Sequence, residues 1–340
     1  MILAGRKPLK WLVLLGILHG AIACAGFFSP YDPAEQDRRL AYVGPTGLHF
    51  LDVEGHFHLR PFFYDWSPIG NRVGFQPDRA RPIPVKFLVK GNRYQLLAFI
   101  PSSRHLFGGD GGRLYLLGTD GYGRDQLSRI LYGGQVSLLA GLLGAGITLL
   151  LAFVIGSVAG YYAGWRDELL MRLAEVFLCL PWLYLLLGLR AFLPLDVDPL
   201  AAFRLVVVVI AMVGWARPAR LVRGVVLSAK EGDFVRAARG FGASDVYLFR
   251  RHIFPEILGV LLTQAALLVP QFVLAEMTLS FLGLGVPEPI ASWGNLLANL
   301  QQYSVLASCW WMYLPALAIF PFFLGYLGLA SAMQRGEAPA

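Results

Sequence analysis

Long apolar segments separated by short polar ones make up most of the chain outside residues 29–130. Segments of about 17 to 27 residues are long enough to cross the hydrocarbon core of a bilayer as α-helices. The pattern therefore predicts an all-α polytopic membrane protein with six transmembrane helices. Their approximate bounds are 11–28, 136–162, 173–195, 200–216, 257–282 and 308–330. Five glycines in the second span predict close contact with neighbouring helices: Gly141, Gly144, Gly146, Gly156 and Gly160.

Between the first two spans the chain is polar and rich in proline and glycine. Residues 48–53 and 56–60 alternate apolar with polar side chains, as do 85–89 and 94–99, which are joined by Lys90-Gly-Asn-Arg93. A period of two predicts β-strands, and the Gly-Asn step predicts a hairpin turn between the second pair. We expect a small β-rich insertion outside the membrane.

The spans and the insertion divide the chain into four segments. These are a cytoplasmic N-terminus with the first helix (1–30), the extracytoplasmic insertion with an elbow (31–130), a core of five spans (131–335) and a C-terminal tail (336–340). Three basic residues precede the first apolar run, so a cleaved signal peptide is an alternative there. An even number of spans, which keeps both ends on one side, favours an uncleaved helix.

Composition and charge agree with this topology. The 340 residues are 56% hydrophobic and 15% charged, with a mean hydropathy of +0.56, whereas soluble domains carry about 25% charged residues. The net charge of +7 comes from basic residues beside apolar runs, which favours membrane orientation over nucleic-acid binding. The segment from Arg217 to Arg251 contains eight Lys and Arg residues but only three acidic residues. Because cytoplasmic loops carry an excess of basic residues, we expect this segment and both termini to be cytoplasmic.

Residues 231–255 form a polar segment between two spans, and their pattern predicts a helix-turn-helix that docks on a partner. Small, hinge and capping residues occupy its centre: Ala237, Ala238, Gly240, Gly242 and Ser244. Small side chains let two backbones approach, glycines permit a tight turn and a serine can cap the second helix, which we expect to end at Pro255. Three aromatic residues offer apolar anchors for a groove: Phe234, Phe241 and Tyr247.

This segment resembles the EAA loop of ABC importer permeases, in the dipeptide and oligopeptide branch. It reads Arg236-Ala-Ala-Arg-Gly-Phe-Gly-Ala-Ser244, with Arg236 in place of the motif glutamate, and continues as Arg251-His-Ile-Phe-Pro255. The resemblance implies that the loop 223–256 inserts as a coupling helix into an ATP-hydrolysing subunit; an ordinary basic loop that orients the protein is the alternative. The residues assigned to coupling are Asp233, Phe234, Arg236, Ala237, Ala238, Gly240, Gly242, Ala243, Ser244 and Pro255.

Two further segments resemble the same branch. Residues 117–129 are similar to its LGTDxxGRDxxSR motif and predict an elbow before the second span, in which Asp120, Gly123, Arg124, Asp125 and Arg129 supply a turn and an ion-pair lattice. Residues 275–285 are similar to its AExxLSFLGLG motif. Glu276 and Ser280 in that motif are candidates for the translocation path or an outer gate, the alternative being that Glu276 fixes the end of the helix.

The resemblance implies the type I importer permease fold and a non-catalytic subunit of a bacterial inner membrane. The implied partners are a second homologous permease, two cytoplasmic ATPase subunits that hold ATP and Mg²⁺, an extracytoplasmic solute-binding protein and membrane lipid. The sequence contains no Gly-x-x-x-x-Gly-Lys-Ser/Thr phosphate loop, and we expect no cofactor or metal in this chain. Di- or oligopeptides are the implied substrate. The length and strand pattern of residues 31–116 suggest a β-rich cap that helps to dock the binding protein or covers the pore mouth.

Several alternatives stay open. A secondary transporter would carry several ionisable groups at the membrane midplane, for which Glu276 is one candidate. A permease for nickel or another non-peptide solute would share the same motifs, and a membrane-anchored sensor would explain the insertion but not five later spans. His56 and His58 share a strand face and suggest a metal site, but a solvated hairpin is the preferred interpretation.

Overall fold

The computed structural model describes residues 6–69, 74–97, 99–109, 111–179 and 198–337, together with 181, 184, 185, 187 and 188. The chain divides into two compact units. The helical unit comprises Met1–Leu15, Leu138–Leu279 and Phe322–Ala340, and the β-containing unit comprises Gly16–Ser137 and Ser280–Pro321.

The α-helices follow the apolar segments of the sequence. They are α1 (Arg6–Ala23), α2 (Ala25–Phe28), α3 (Gln126–Tyr162), α4 (Gly164–Cys179), α5 (Pro199–Gly214), α6 (Ala216–Lys230), α7 (Asp233–Gly240), α8 (Asp245–Leu248), α9 (Phe254–Phe281), α10 (Trp293–Ala298), α11 (Tyr303–Ser308) and α12 (Leu314–Glu337). A π-helical turn, Phe249–Ile253, joins α8 to α9, and short 3₁₀ turns lie at Arg38–Leu40, Asn299–Gln301 and Trp310–Tyr313.

Within the described residues, three helical segments are long and apolar enough to cross a membrane: Gln126–Tyr162, Asp245–Phe281 and Trp310–Gln334. They confirm the second, fifth and sixth predicted spans. The fourth predicted span is α5. Together with α6 it is long and apolar enough to cross a membrane, but the two helices are bent by 46°. The first predicted span contains a shorter apolar helix, Pro8–Ala23. The third continues from α4 into residues that lie largely outside the described ranges, so the count of six stays a prediction.

The predicted close packing of α3 is confirmed at four of its five glycines, the exception being Gly146, and a Cβ on Gly144 would lie 3.3 Å from Phe272 Cδ2. A Cβ on Gly141 would lie 2.5 Å from Val273 Cγ2, and one on Gly156 would lie 2.5 Å from the carbonyl oxygen of Ala219. At Gly160 the nearest atom would be the carbonyl oxygen of Arg223, at 2.8 Å. These glycines let α3 approach α9 and α6 backbone to backbone.

Residues 163–172 lie between the second and third predicted spans, where the sequence predicts a short connecting turn, but from Gly164 onward they form the first half of α4. The break from α3 is confined to Ala163, which takes a positive φ of 53°. The charged residues of this segment lie on the helix surface, where Asp167 forms a two-bond ion pair with Arg223 of α6, with N–O distances of 2.5 and 2.6 Å. Ala174, in the next half of α4, packs with Trp215 and Ala219 in a buried cluster.

The β-containing unit holds an antiparallel sheet in the order β1-β2-β3-β4. Its strands are β1 (His49–Leu51), β2 (Phe57–Pro68), β3 (Phe75–Leu96) and β4 (Ile100–Gly109). Phe63, Ile83, Val85 and Leu114 form its buried core. All four strands fall within the expected insertion.

The predicted hairpin turn at residues 90–93 is wrong. β3 continues through it with a shift of register between Lys90 and Tyr94, and the chain reverses beyond Leu96, which pairs with Ile100. The ring of His105 explains why β3 continues through residues 90–93, because its Nε2 lies 3.0 Å from the carbonyl oxygen of Asn92. A Cβ on Gly91 would lie 2.7 Å from that ring, so this glycine provides a close approach within a bulged strand.

The histidine-rich segment around β1 and β2 forms the expected solvent-exposed hairpin. His58 Nε2 lies 2.9 Å from Asp52 Oδ2. This hydrogen bond, with those from the His56 and Glu54 amides, lowers the pKa of Asp52 to about 2. Within the described ranges, no group of three or more His, Cys, Asp or Glu side chains is arranged to hold a metal ion.

Candidate coupling loop, ion-pair cluster and cavity

The coupling loop, residues 223–256, contains the predicted pair of helices. The turn between α7 and α8 is closed by hydrogen bonds from the Gly242 and Ala243 amides to the carbonyl oxygens of Arg239 and Ala238, at 3.0 and 3.1 Å. Gly242 takes a φ of +83°, which favours glycine. The Ser244 hydroxyl accepts a hydrogen bond from the Tyr247 amide at 3.4 Å, so the predicted cap is confirmed.

The second helix of the loop does not end at Pro255, as the sequence had suggested. α8 passes through the π-helical turn Phe249–Ile253 directly into α9. In a regular α-helix the ring of Pro255 would clash with the carbonyl group of Arg251, four residues earlier, and a wider π turn immediately before the proline relieves that clash. The loop therefore continues without a break into the fifth predicted span.

Contacts with α3 and α6 hold the loop in a defined position within the helical unit. Tyr161 of α3 donates a hydrogen bond from its hydroxyl to Asp245 Oδ1 at 2.5 Å, and Lys230 Nζ donates to the Tyr161 carbonyl oxygen at 2.6 Å. Phe249 packs on the ring of Tyr161 with the centroids 6.1 Å apart, and Ile253 is fully buried beside α6. The loop is thus braced by polar and apolar contacts at its base.

The exposed surface of the coupling loop carries apolar and basic side chains. Phe241, at the turn, is 93% exposed, and Phe234, Val246 and Tyr247 are also exposed. Arg236 is exposed and forms no ion pair with any residue that the structure describes. Large aromatic side chains presented together on a braced surface are typical of a protein interface. Of the other predicted coupling residues, Asp233, Ala237 and Gly240 are exposed and Ala238 and Ala243 are half-buried.

The predicted elbow is a buried ion-pair cluster. Arg124 Nε donates to Asp120 Oδ2 at 2.7 Å, and Arg129 Nε lies 3.5 Å from the same oxygen. A fourth member is Glu288, whose carboxylate accepts from Arg124 Nη1 at 2.7 Å and from Arg129 Nη2 at 2.9 Å. Burial alone would raise the pKa of Glu288, but the two guanidinium groups outweigh it and hold that pKa below its usual value.

Asp125 differs from the expectation, because it takes part in no ion pair of this cluster. It caps α3 instead: its Oδ2 accepts hydrogen bonds from the Ser128 amide at 2.8 Å and hydroxyl at 2.5 Å. Complete burial raises the pKa of Asp125 to about 6 in spite of these bonds. Gly123 has the predicted turn conformation, with a φ of +73°, and any Cβ there would overlap the Asp37 carbonyl group.

Sequence reasoning missed Glu288, although a signal was present. It is the one charged residue between Glu276 and Arg335 in the sequence. An isolated acid between apolar spans requires a cationic partner when it is partly buried, and the two arginines of the elbow were available.

Glu276 and Ser280, the candidates for the translocation path, are both buried within the chain. Ser280 lies against the glycine-rich turn that follows α9, where its carbonyl oxygen accepts from the Gly283 amide at 3.0 Å. Neither side chain reaches the surface in this conformation, so a role on the path stays a prediction.

A cavity of about 310 Å³ in the helical unit was not anticipated. It lies among α4, α5, α6 and α9, and most of its lining is apolar, with Phe177, Ile210 and Phe272 as large members. Arg217 and Gln271 supply its polar side chains. A mainly apolar cavity with a few polar groups is typical of a site for a small ligand.

Comparison with known proteins adds independent information. Residues 152–336 match the family model described as "Binding-protein-dependent transport system inner membrane component". The chain is 36% identical over 240 residues to the dipeptide transport system permease protein DppC of Bacillus subtilis (strain 168), covering 70% of each chain. It is 41% identical over 209 residues to a putative peptide transport system permease protein of Brucella suis biovar 1 (strain 1330), covering 61% of this chain and 68% of the relative.

Two further similarities were found. The oligopeptide transport system permease protein OppC of Haemophilus influenzae is 37% identical over 203 residues, which are 59% of this chain and 63% of the relative. A crystal structure of an amino acid ABC transporter with histidines aligns with a TM-score of 0.46 and 21% identity, covering 61% of this chain and 93% of that one.

Proposed function

The chain belongs to the binding-protein-dependent transport system inner membrane components, the permeases of ABC transporters, and from this premise we propose that it carries di- or oligopeptides into a bacterial cell. The peptide substrate is supported by the names of the relatives, which are a dipeptide permease of Bacillus subtilis and a putative peptide permease of Brucella suis. In this proposal the chain is a non-catalytic subunit, and ATP and Mg²⁺ are bound by its partners.

The coupling loop would dock on the cytoplasmic ATPase subunit. The observation that carries this proposal is Phe241, a large aromatic side chain 93% exposed at the turn of a loop whose base is fixed by Tyr161 and Lys230. The contacts that fix the base of the loop are important, because a flexible loop would not transmit a displacement of the ATPase to α9. Arg236, which replaces the motif glutamate, would face an acidic surface on this partner.

Translocation would follow the cavity among α4, α5, α6 and α9, with a second homologous permease closing its open side. Gln271 and Arg217 would contact peptide carbonyl and carboxylate groups, while the apolar lining contributes no tight binding. Specificity would then reside mainly in an extracytoplasmic solute-binding protein. This arrangement requires the predicted topology of six spans with both termini in the cytoplasm.

Co-purification tests the coupling assignment. Tagged protein should retain an ATPase subunit with a Walker A loop, and Phe241→Ala and Ala237→Glu should each reduce that retention strongly, because both positions are exposed and can be changed without disturbing the fold. Tyr303→Ala, at an exposed aromatic residue of the β-containing unit, is the matched control and should retain the ATPase fully. Full retention by both loop variants would exclude the assignment.

Transport in proteoliposomes tests the substrate. With the binding protein outside and ATP inside, labelled peptides should accumulate, and Gln271→Ala should lower the transport rate without releasing the ATPase. Accumulation of radioactive nickel without any peptide would contradict the peptide assignment and indicate a nickel permease. Uptake driven by a proton gradient in the absence of any ATPase would instead indicate a secondary transporter.

A further inference from the structure

The reversal between β3 and β4 carries an exposed apolar tip. Leu97, Phe99 and Ile100 are all exposed, and Phe99 is 74% exposed. Three large apolar side chains at the end of a hairpin are unusual on a surface that faces only water, where polar turn residues predominate. We therefore expect the tip to contact an apolar partner.

Two contacts fix the direction of this hairpin relative to the apolar helices α1 and α2. The carbonyl oxygen of Ser29, just after α2, lies 2.6 Å from His105 Nδ1 of β4. Three residues earlier, Gly26 packs on the ring of Tyr94 of β3, where any Cβ would overlap the ring. His105 is further from the reversal than Tyr94, so the hairpin runs back along α2 towards α1 as it approaches its tip.

The same contacts give the depth of the tip. Leu97 is three residues beyond Tyr94, a distance of about 10 Å along a strand. That distance corresponds to roughly six or seven residues of helix, so a hairpin that continues in the same direction brings its tip to the level of Gly20 in α1. The sequence between Lys10 and that point is apolar and uncharged apart from His19. The tip thus lies level with a part of α1 that is suited to lipid.

Basic side chains surround the hairpin behind the tip. Lys90 of β3 is directly opposite Arg104 of β4, and both are exposed, as is Arg93. No carboxylate lies within ion-pair distance of these three cations in the described part of the chain. Like charges opposite each other on neighbouring strands are destabilising unless an anion lies between them. They stand about 13 Å behind the tip, by the rise of a strand.

We propose that the β3–β4 hairpin is a membrane anchor: its tip enters the lipid layer beside α1 and α2, and Lys90, Arg93 and Arg104 bind the phosphates of anionic phospholipids. The spacing agrees with this, because the headgroup layer lies outside the hydrocarbon core by about 5 to 7 Å on each side. Interfacial membrane anchors place aliphatic and aromatic side chains in the lipid and cationic side chains at the headgroups. The proposal requires α1 and α2 to lie in the membrane and is independent of the transported substrate.

Spin-label accessibility in the full chain tests this anchor. The three native cysteines are replaced by alanine, and a nitroxide is attached at Phe99→Cys or, as the control, at Gln76→Cys, an exposed position at the start of β3. The protein is placed in nanodiscs of phosphatidylethanolamine and phosphatidylglycerol. The ratio of accessibility to oxygen over a water-soluble nickel chelate should be several-fold higher at position 99 than at position 76.

Charge reversal tests the role of the cations. The double variant Arg93→Glu and Arg104→Glu should lower that ratio at position 99 markedly, whereas Arg79→Glu, at another exposed position of β3, should not. Equal nickel access at positions 99 and 76 would overturn the proposal. It would also be overturned if position 99 were shielded from nickel only after addition of the solute-binding protein, since the tip would then dock on protein. An unchanged ratio in the double variant would overturn the assignment of the three cations to lipid.

Discussion

Arg124 and Glu288 lie 164 positions apart in the sequence and form a two-bond ion pair, with Nη1–Oε2 and Nη2–Oε1 distances of 2.7 and 3.3 Å. The arginine side chain is almost fully buried, and Asp120 accepts a bond from its Nε. The pair fixes the elbow before α3 to the segment that follows α9, both within the β-containing unit.

Removal of the Glu288 charge should therefore destabilise the protein. Glu288→Gln leaves Arg124 and Arg129 buried with Asp120 as their remaining countercharge, and we expect a loss of about 3 kcal/mol in the free energy of unfolding. Thermal unfolding in detergent measures this. Glu175→Gln breaks an exposed pair with Arg220 at 4.0 Å and should cost less than about 0.5 kcal/mol. Equal losses in the two variants would contradict the importance of burial.

Asp125 should make the stability of the protein depend on pH. Its folded-state pKa of about 6 lies above the ordinary value of 3.8, so the folded form binds the proton more tightly than the unfolded form. Its contribution is complete below about pH 4 and is lost as the pH rises through 6. Asp125→Asn removes this dependence and can still accept a hydrogen bond from the Ser128 amide.

The measurement for Asp125 compares the two proteins across pH. The stability of Asp125→Asn relative to the wild type should increase between pH 4 and 7, by at most about 3 kcal/mol. A difference between the two proteins that stays constant over this range would show that the carboxyl group does not titrate there.

The close approach of α3 to α6 should not tolerate a side chain at Gly156. Gly156→Val would place carbon against the carbonyl oxygen of Ala219, and we expect a loss of about 2 kcal/mol or more. Gly146→Val is the control, because no atom outside its own helix lies within 4 Å of that Cβ position. Melting temperatures of the two variants in detergent should differ clearly, and similar values would mean that the helices can separate without cost.

Arg236 should influence recognition of the ATPase through its charge. Arg236→Glu should weaken association and reduce its dependence on salt, because an exposed cation facing an acidic partner is screened by ions. Arg79→Glu, in the β-containing unit, leaves both quantities unchanged. Titration of the purified ATPase at two ionic strengths measures the effect, and tighter binding by Arg236→Glu would indicate a basic partner surface.

Features that depend on near neighbours in the sequence could be predicted. Apolar runs gave α3 and α9, and Ser244 with Gly242 gave the turn of the coupling loop. Alternation gave β1 and parts of β2 and β3, but not β4. Local signals failed where a distant residue decides the outcome. Gly91-Asn92 is a turn signal, but the ring of His105 from another strand keeps it within β3.

The same reasoning explains the ion-pair cluster. Four charges at positions 120–129 predicted a lattice, yet which charges pair depends on the location of Glu288, and no short-range pattern links it to the elbow. Pro255 was misjudged for a different reason. A proline commonly ends a helix, but the π-helical turn before it lets the helix continue, and nothing in the sequence distinguishes the two results.

The continuity of α8, the π turn and α9 has a mechanical consequence. From Asp245 to Phe281 the chain forms a single helical rod of 37 residues, about 55 Å long. A rod held at one end by a motor acts as a lever, so a tilt of roughly ten degrees at its base would swing the far end by about 10 Å over that length. In the proposed coupling, an ATPase that holds the base of this helix would move its far end by that distance, and Pro270 within the helix is the position most open to bending.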